Sequence, residues 1–125
     1  MRLAFTVPGK AVPKGRPRLS LEGHAYTPTE TRDYEDLVFQ YALIAFRKAK
    51  IPMPILGPIK FTCDVYRNRV ATATPDLDNC IKSLTDGLCS GRRLLEDAQI
   101  VEIAARKHKC LQHEQRAEIL LEWGE

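Results

Sequence analysis

No apolar run in these 125 residues approaches the length of a membrane span. The N-terminus also lacks a basic stretch followed by a long apolar one, so no secretory leader is expected and the cytoplasm is the expected compartment. None of the four cysteines, Cys63, Cys80, Cys89 and Cys110, pairs at C-x-x-C spacing. That excludes a sequence-evident disulfide or zinc framework and predicts reduced, mostly buried thiols. His108, Cys110 and His113 lie close together but want a fourth ligand and the usual zinc spacing. Repeats, low-complexity runs and linkers are absent too, which leaves one domain over 1–125, small for an enzyme with a separate substrate domain.

One further scarcity is local. No acid interrupts the segment holding Lys10, Lys14, Arg16 and Arg18, although net charge over the chain is only +3. Arg67 and Arg69, Arg92 and Arg93, and Arg106 to Lys109 add further basic clusters. Carboxylates set among such cations suggest a surface that holds a polyanion. Any single cluster also reads as ordinary solvated surface.

What is present is an orderly alternation of strand and helix patterns. Leu3, Phe5 and Val7 alternate with polar or small residues, and Pro8-Gly9 ends that strand. Prolines and glycines then make 8–26 an extended arm or loop. Thr27-Pro28-Thr29-Glu30 reads as a capping box with Pro28 at the first helical position. Tyr34, Leu37, Val38, Tyr41 and Ala45 are the expected inward stripe of that helix. Ile59, Phe61, Cys63 and Val65 predict a half-buried strand, and Leu77, Ile81, Leu84 and Leu88 predict a second helix. A strand from Ile100 to about His108 follows, and a last one carries Ala117, Ile119, Leu121 and Trp123, expected to form a hairpin with it. The order β-α-β-α-β-β implies an α+β domain, a mixed sheet with both helices on one face.

The chemistry concentrates in Thr74-Pro75-Asp76-Leu77-Asp78-Asn79-Cys80-Ile81-Lys82. Pro75 biases Thr74 towards an extended conformation. A helix that began earlier would point Asp76 to the far side from Asp78, whereas with Asp76 just before the helix the two carboxylates can converge. Converging carboxylates repel unless a cation lies between them or one is protonated. Oxygen-only ligation suits a hard cation such as Mg²⁺ or Mn²⁺. A second acidic pair, Glu96-Asp97, precedes an apolar strand and could fold back as a further ligand. The same Asp-x-Asp pattern also serves as plain helix capping. Lys82 likewise reads either as a site cation or as an ordinary helical ion pair with Asp78 or Asp86.

Pro75-Asp76-Leu77-Asp78-Asn79 with Lys82, followed by Glu96-Asp97-Ala98-Gln99, resembles the RusA family of Holliday-junction resolvases. The resemblance runs nearly end to end, through Val7-Pro8-Gly9, Lys14-Gly15-Arg16-Pro17-Arg18, Tyr26-Thr27 and Thr31-Arg32. It implies a homodimeric, Mg²⁺-dependent endonuclease acting on four-way DNA junctions, with catalytic carboxylates at Asp76, Asp78 and Asp97 and a catalytic lysine at Lys82. Glu96 is a weaker candidate. The segment 70–74 departs from the family pattern in carrying no cation before Pro75. Lys14, Arg16, Arg18, Arg67, Arg69 and Lys107 are the expected contacts to the DNA backbone. Two other readings stand beside it. A junction-binding module without catalysis would need the cations but not the carboxylates. A glycosyltransferase using Asp76-Leu77-Asp78 would need a larger nucleotide-binding fold.

Overall fold

The computed structural model describes residues 1–15, 18–26, 28–68 and 77–124, with the backbone alone at Arg18. Its core is a four-stranded mixed sheet built from β1 (Arg2–Pro8), β4 (Ile59–Arg67), β5 (Ile100–Lys109) and β6 (Arg116–Trp123). Strands β2 (Arg18–Leu19) and β3 (Ala25–Tyr26) pair with each other as a minimal antiparallel hairpin. Helices α1 (Thr29–Lys48) and α2 (Leu77–Leu88) complete the α+β domain expected from the sequence.

Period-two alternation puts Ile59, Phe61, Cys63 and Val65 of β4 on one face, each essentially inaccessible. The register sets Phe61 beside Leu121, Cys63 beside Ile119 and Val65 beside Ala117. Across β6, Leu3 and Val7 of β1 continue the same buried layer. Val38, Ala42 and Phe46 of α1 and Leu84 and Leu88 of α2 close it from above. The opposite sheet face is polar, with Asp64 bound by Arg106 at 2.8 Å and His108 at 2.7 Å, and His108 stacked on Tyr66.

The strand order is β1-β6-β4-β5, and this corrects the expected terminal hairpin. β5 pairs parallel with β4, and β6 runs antiparallel between β4 and β1. Parallel neighbours need a crossover, which α2 supplies, so β5 takes the outer edge of β4 and β6 fills the other side. Three smaller differences follow from packing. The expected capping box depends on Thr27, outside the described residues; Pro28 occupies the cap position and α1 begins at Thr29. Leu37 and Tyr41 are more than a third exposed, because the buried face of α1 runs through Thr31, Tyr34, Val38, Ala42 and Phe46. The described arm before α1 carries the small β2–β3 hairpin and, at 11–15, crosses the helices as structure. Among the described residues no helix is long and apolar enough to cross a membrane.

Candidate active site

Helical periodicity sets Asp78 and Lys82 one turn apart on α2, both exposed, next to the half-buried Ile81. Asp97 opens the 3-10 turn Asp97–Gln99 that leads directly into β5. These two pieces of chain meet where α2 lies along β5. Among the described residues β5 is an edge strand, and no further strand closes the seam. The result is a groove of about 300 Å³ lined by Asp78, Lys82, Asp97, Ile81, Thr85, Ile100 and Ile103.

The Asp97 turn is fixed from behind. Glu96 N–H donates to Gln99 Oε1 at 2.7 Å, and Gln99 N–H returns to the Glu96 carbonyl at 3.0 Å. The Gln99 amide then donates to the carbonyls of Ile55 and Gly57 at 2.8 and 3.0 Å. Glu96 is therefore part of the turn that presents Asp97. On α2, Asp78 Oδ1 accepts the Asn79 N–H at 3.0 Å. Lys82 Nζ stands 3.1 Å from Asp86 Oδ1, and Lys14 Nζ 3.1 Å from Asp86 Oδ2. Lys14 also donates to Glu35 Oε2 at 2.8 Å. Close by, burial pushes the Cys89 thiol up to about 11, with the negative charges of Asp97 and Asp86 adding to the shift and Lys82 opposing it. Cys89 thus stands beside the site mainly as the neutral thiol.

The structure separates the expected site residues. Asp78, Lys82 and Asp97 come together; Asp76, Arg16 and Arg69 lie outside the described residues, and Arg18 is described by its backbone alone. Lys107 follows Ile103 and Ala105 on the helix-facing side of β5 and is half-buried. Lys14 is taken into the ion pairs on α1 and α2. Arg67 is only 6% exposed and donates from Nη1 to the carbonyl of Ala11, so in this fold it holds the arm. The arm is tied again by Lys14 N–H to the Asn79 carbonyl at 2.9 Å, and by Ser83 Oγ donating to Val12 O at 2.6 Å. Spacing along the chain could not reveal either role, since each depends on a partner from a distant segment. Gln99 carried a signal only as part of the Asp97-Ala98-Gln99 motif.

Among the described residues no cluster of three or more His, Cys, Asp or Glu forms a metal site. Asp78 and Asp97 nevertheless supply two carboxylates to one groove, an all-oxygen donor set that fits a hard divalent cation.

A family model described as Endodeoxyribonuclease RusA matches residues 8–122. The chain belongs to the RusA endodeoxyribonuclease family. The match contains every residue of the groove. Membership in the RusA family makes the protein an endonuclease that hydrolyses DNA phosphodiester bonds, with Holliday-junction resolution as its general activity and branched DNA as its substrate class. No curated protein matches the chain.

Proposed function

We propose that the groove between α2 and β5 is the hydrolytic centre of a Mg²⁺-dependent resolvase that makes paired cuts in four-way DNA junctions. The observation that carries the reading is the meeting of Asp78, Lys82 and Asp97 in that one groove. Asp78 and Asp97, with Asp76, would hold the cation, and Mn²⁺ could replace Mg²⁺ on the same oxygen ligands. When bound, the cation supplies Lewis acidity towards a phosphate and its attacking water.

The chain's own residues do the rest. Lys82 presents a point positive charge to phosphate oxygens, where negative charge grows during hydrolysis. Ile81, Ile100 and Ile103 give the groove an apolar wall, which strengthens charge interactions at its surface by lowering the local dielectric. In-line attack would leave a 3′-hydroxyl and a 5′-phosphate, ends that can be resealed. Lys107, together with Arg16, Arg18 and Arg69, is proposed to contact the DNA backbone, positioning the junction without reading bases. Lys14 and Arg67 support that surface by fixing the arm between the helices and β4. A homodimer is proposed because a four-way junction offers two equivalent strands, which a two-fold pair of sites would cut together.

The test is cleavage of a synthetic four-way junction with and without Mg²⁺, beside a linear duplex and the variants Asp97→Asn and Lys82→Ala. Paired, Mg²⁺-dependent cuts in the junction are expected. Each variant should lose about a hundredfold or more in rate while still binding the junction. Tight binding by the wild type without cutting would favour a junction-binding module instead.

A further inference from the structure

We propose that Asp86 is a positioning residue for Lys82, held in that role by Lys14 and Glu35. The proposal rests on the reading of Lys82 given above and names the groups that make its charge usable.

An isolated, exposed ion pair at i,i+4 spacing orders its lysine weakly, because two long side chains must be fixed for little gain in water. Lys82–Asp86 is not isolated. Both Asp86 oxygens are engaged, Oδ1 with Lys82 and Oδ2 with Lys14, each at 3.1 Å. Lys14 is engaged in turn by Glu35 at 2.8 Å. The side chains of Glu35, Lys14 and Asp86 are 18%, 24% and 25% exposed, whereas Lys82 is 56% exposed. The chain of charges therefore has a sheltered end and an open one, and the open end lies in the groove.

The sheltered end is anchored through backbone as well. Lys14 N–H bonds the Asn79 carbonyl at 2.9 Å, and the neighbouring Gly15 N–H bonds Thr31 Oγ1 at 3.1 Å. Burial works against the charged form of Lys14, but hydrogen bonds and charge from Glu35 and Asp86 more than offset it, so its pKa lies above the ordinary lysine value. Lys14 thus remains a cation on Asp86.

Two consequences follow for Lys82. Its ammonium is placed at the groove before substrate arrives, which removes part of the orientation cost of the reaction. Sharing Asp86 with Lys14 also leaves the Lys82 charge only partly countered, so it remains available to a phosphate. Loss of Lys14 would leave Asp86 free to swing, with Lys82 the remaining cation of these four groups to hold it.

Single-turnover cleavage of a four-way junction at saturating protein and Mg²⁺ tests this, with junction binding measured in the absence of divalent metal. Asp86→Asn should slow cleavage about tenfold or more at unchanged junction affinity, and Lys14→Met, which also loosens the arm, should slow it as much at saturating protein. Lys14→Arg, which keeps the cation, should recover most of the rate. In a Lys82→Ala background, Asp86→Asn should add no further loss, because residues acting as a unit are non-additive. Wild-type cleavage by Asp86→Asn, or its full penalty reappearing on top of Lys82→Ala, would overturn the proposal and leave the role of Lys82 standing. If Asp86→Asn does not fold, Lys14→Met decides: unchanged cleavage, or a loss confined to junction binding, overturns the proposal. Wild-type cleavage by Lys82→Ala would instead remove the reading of Lys82 and this proposal with it.

Discussion

Gln99 reaches backward from the Asp97 turn to the carbonyls of Ile55 and Gly57, while its Oε1 takes the Glu96 N–H. Its side chain carries no charge and lies outside the lining of the groove, yet it determines where Asp97 stands. Replacing it by alanine removes these bonds and frees the turn, at a stability cost of about 1–2 kcal/mol. The larger expected effect is on metal use. In Gln99→Ala the Mg²⁺ concentration giving half-maximal cleavage should rise about tenfold or more, since supporting groups of this kind tune metal affinity over that range. An unchanged Mg²⁺ dependence in a folded variant would show that Asp97 does not need this support. At this scale the sequence is legible where chemistry and identity coincide. Asp78, Lys82 and Asp97 stand out in the sequence by side-chain type and motif, and all three line one groove. The role of Arg67 does not stand out, since the guanidinium that looked available for DNA is buried against Ala11 O by a fold the local sequence does not describe.

Gly87 decides how closely the two helices approach. A Cβ built there would sit 2.8 Å from the Glu35 carbonyl oxygen and 2.9 Å from Val38 Cβ, so α1 would have to move. Alanine is the better helix former by about 1 kcal/mol. The clash with backbone outweighs that gain, and Gly87→Ala should destabilise the protein by about 2 kcal/mol. A melting temperature lower by about 8 °C is the expected reading. Separation at Gly87 also draws Glu35 away from Lys14, so cleavage should fall along with stability. A variant as stable as wild type would show that the helices can part without strain. Nothing local to Gly87 in the sequence marks this role, since its close neighbours Glu35 and Val38 lie across a helix–helix contact. Helices and strands themselves were legible from their apolar periods. The β5–β6 hairpin was expected from chain order, but α2 carries the chain over to place β5 parallel to β4, and β6 is claimed by two other strands. Strand existence is written locally; strand partnership is settled by the whole sheet.

At the scale of the molecule, the groove joins segments whose contact exists only in the folded state. Asp78 comes from the crossover helix and Asp97 from the turn before the edge strand, so an unfolded chain presents no assembled site. A cation held by both must therefore bind the native state more tightly and stabilise it by mass action. With Mg²⁺ at about ten times its dissociation constant, the stabilisation is about 1.4 kcal/mol. For a domain of this size that raises the melting temperature by about 5 °C. The rise should saturate with Mg²⁺ and largely vanish in Asp97→Asn, where one ligand charge is gone. General screening of surface charge would raise both proteins alike, and a matched change in ionic strength would reproduce it. The same thermal shift in Asp97→Asn would place the cation elsewhere. A saturable shift confined to wild type would tie metal binding to the groove without relying on cleavage, and so separate where the cation sits from what it does to DNA.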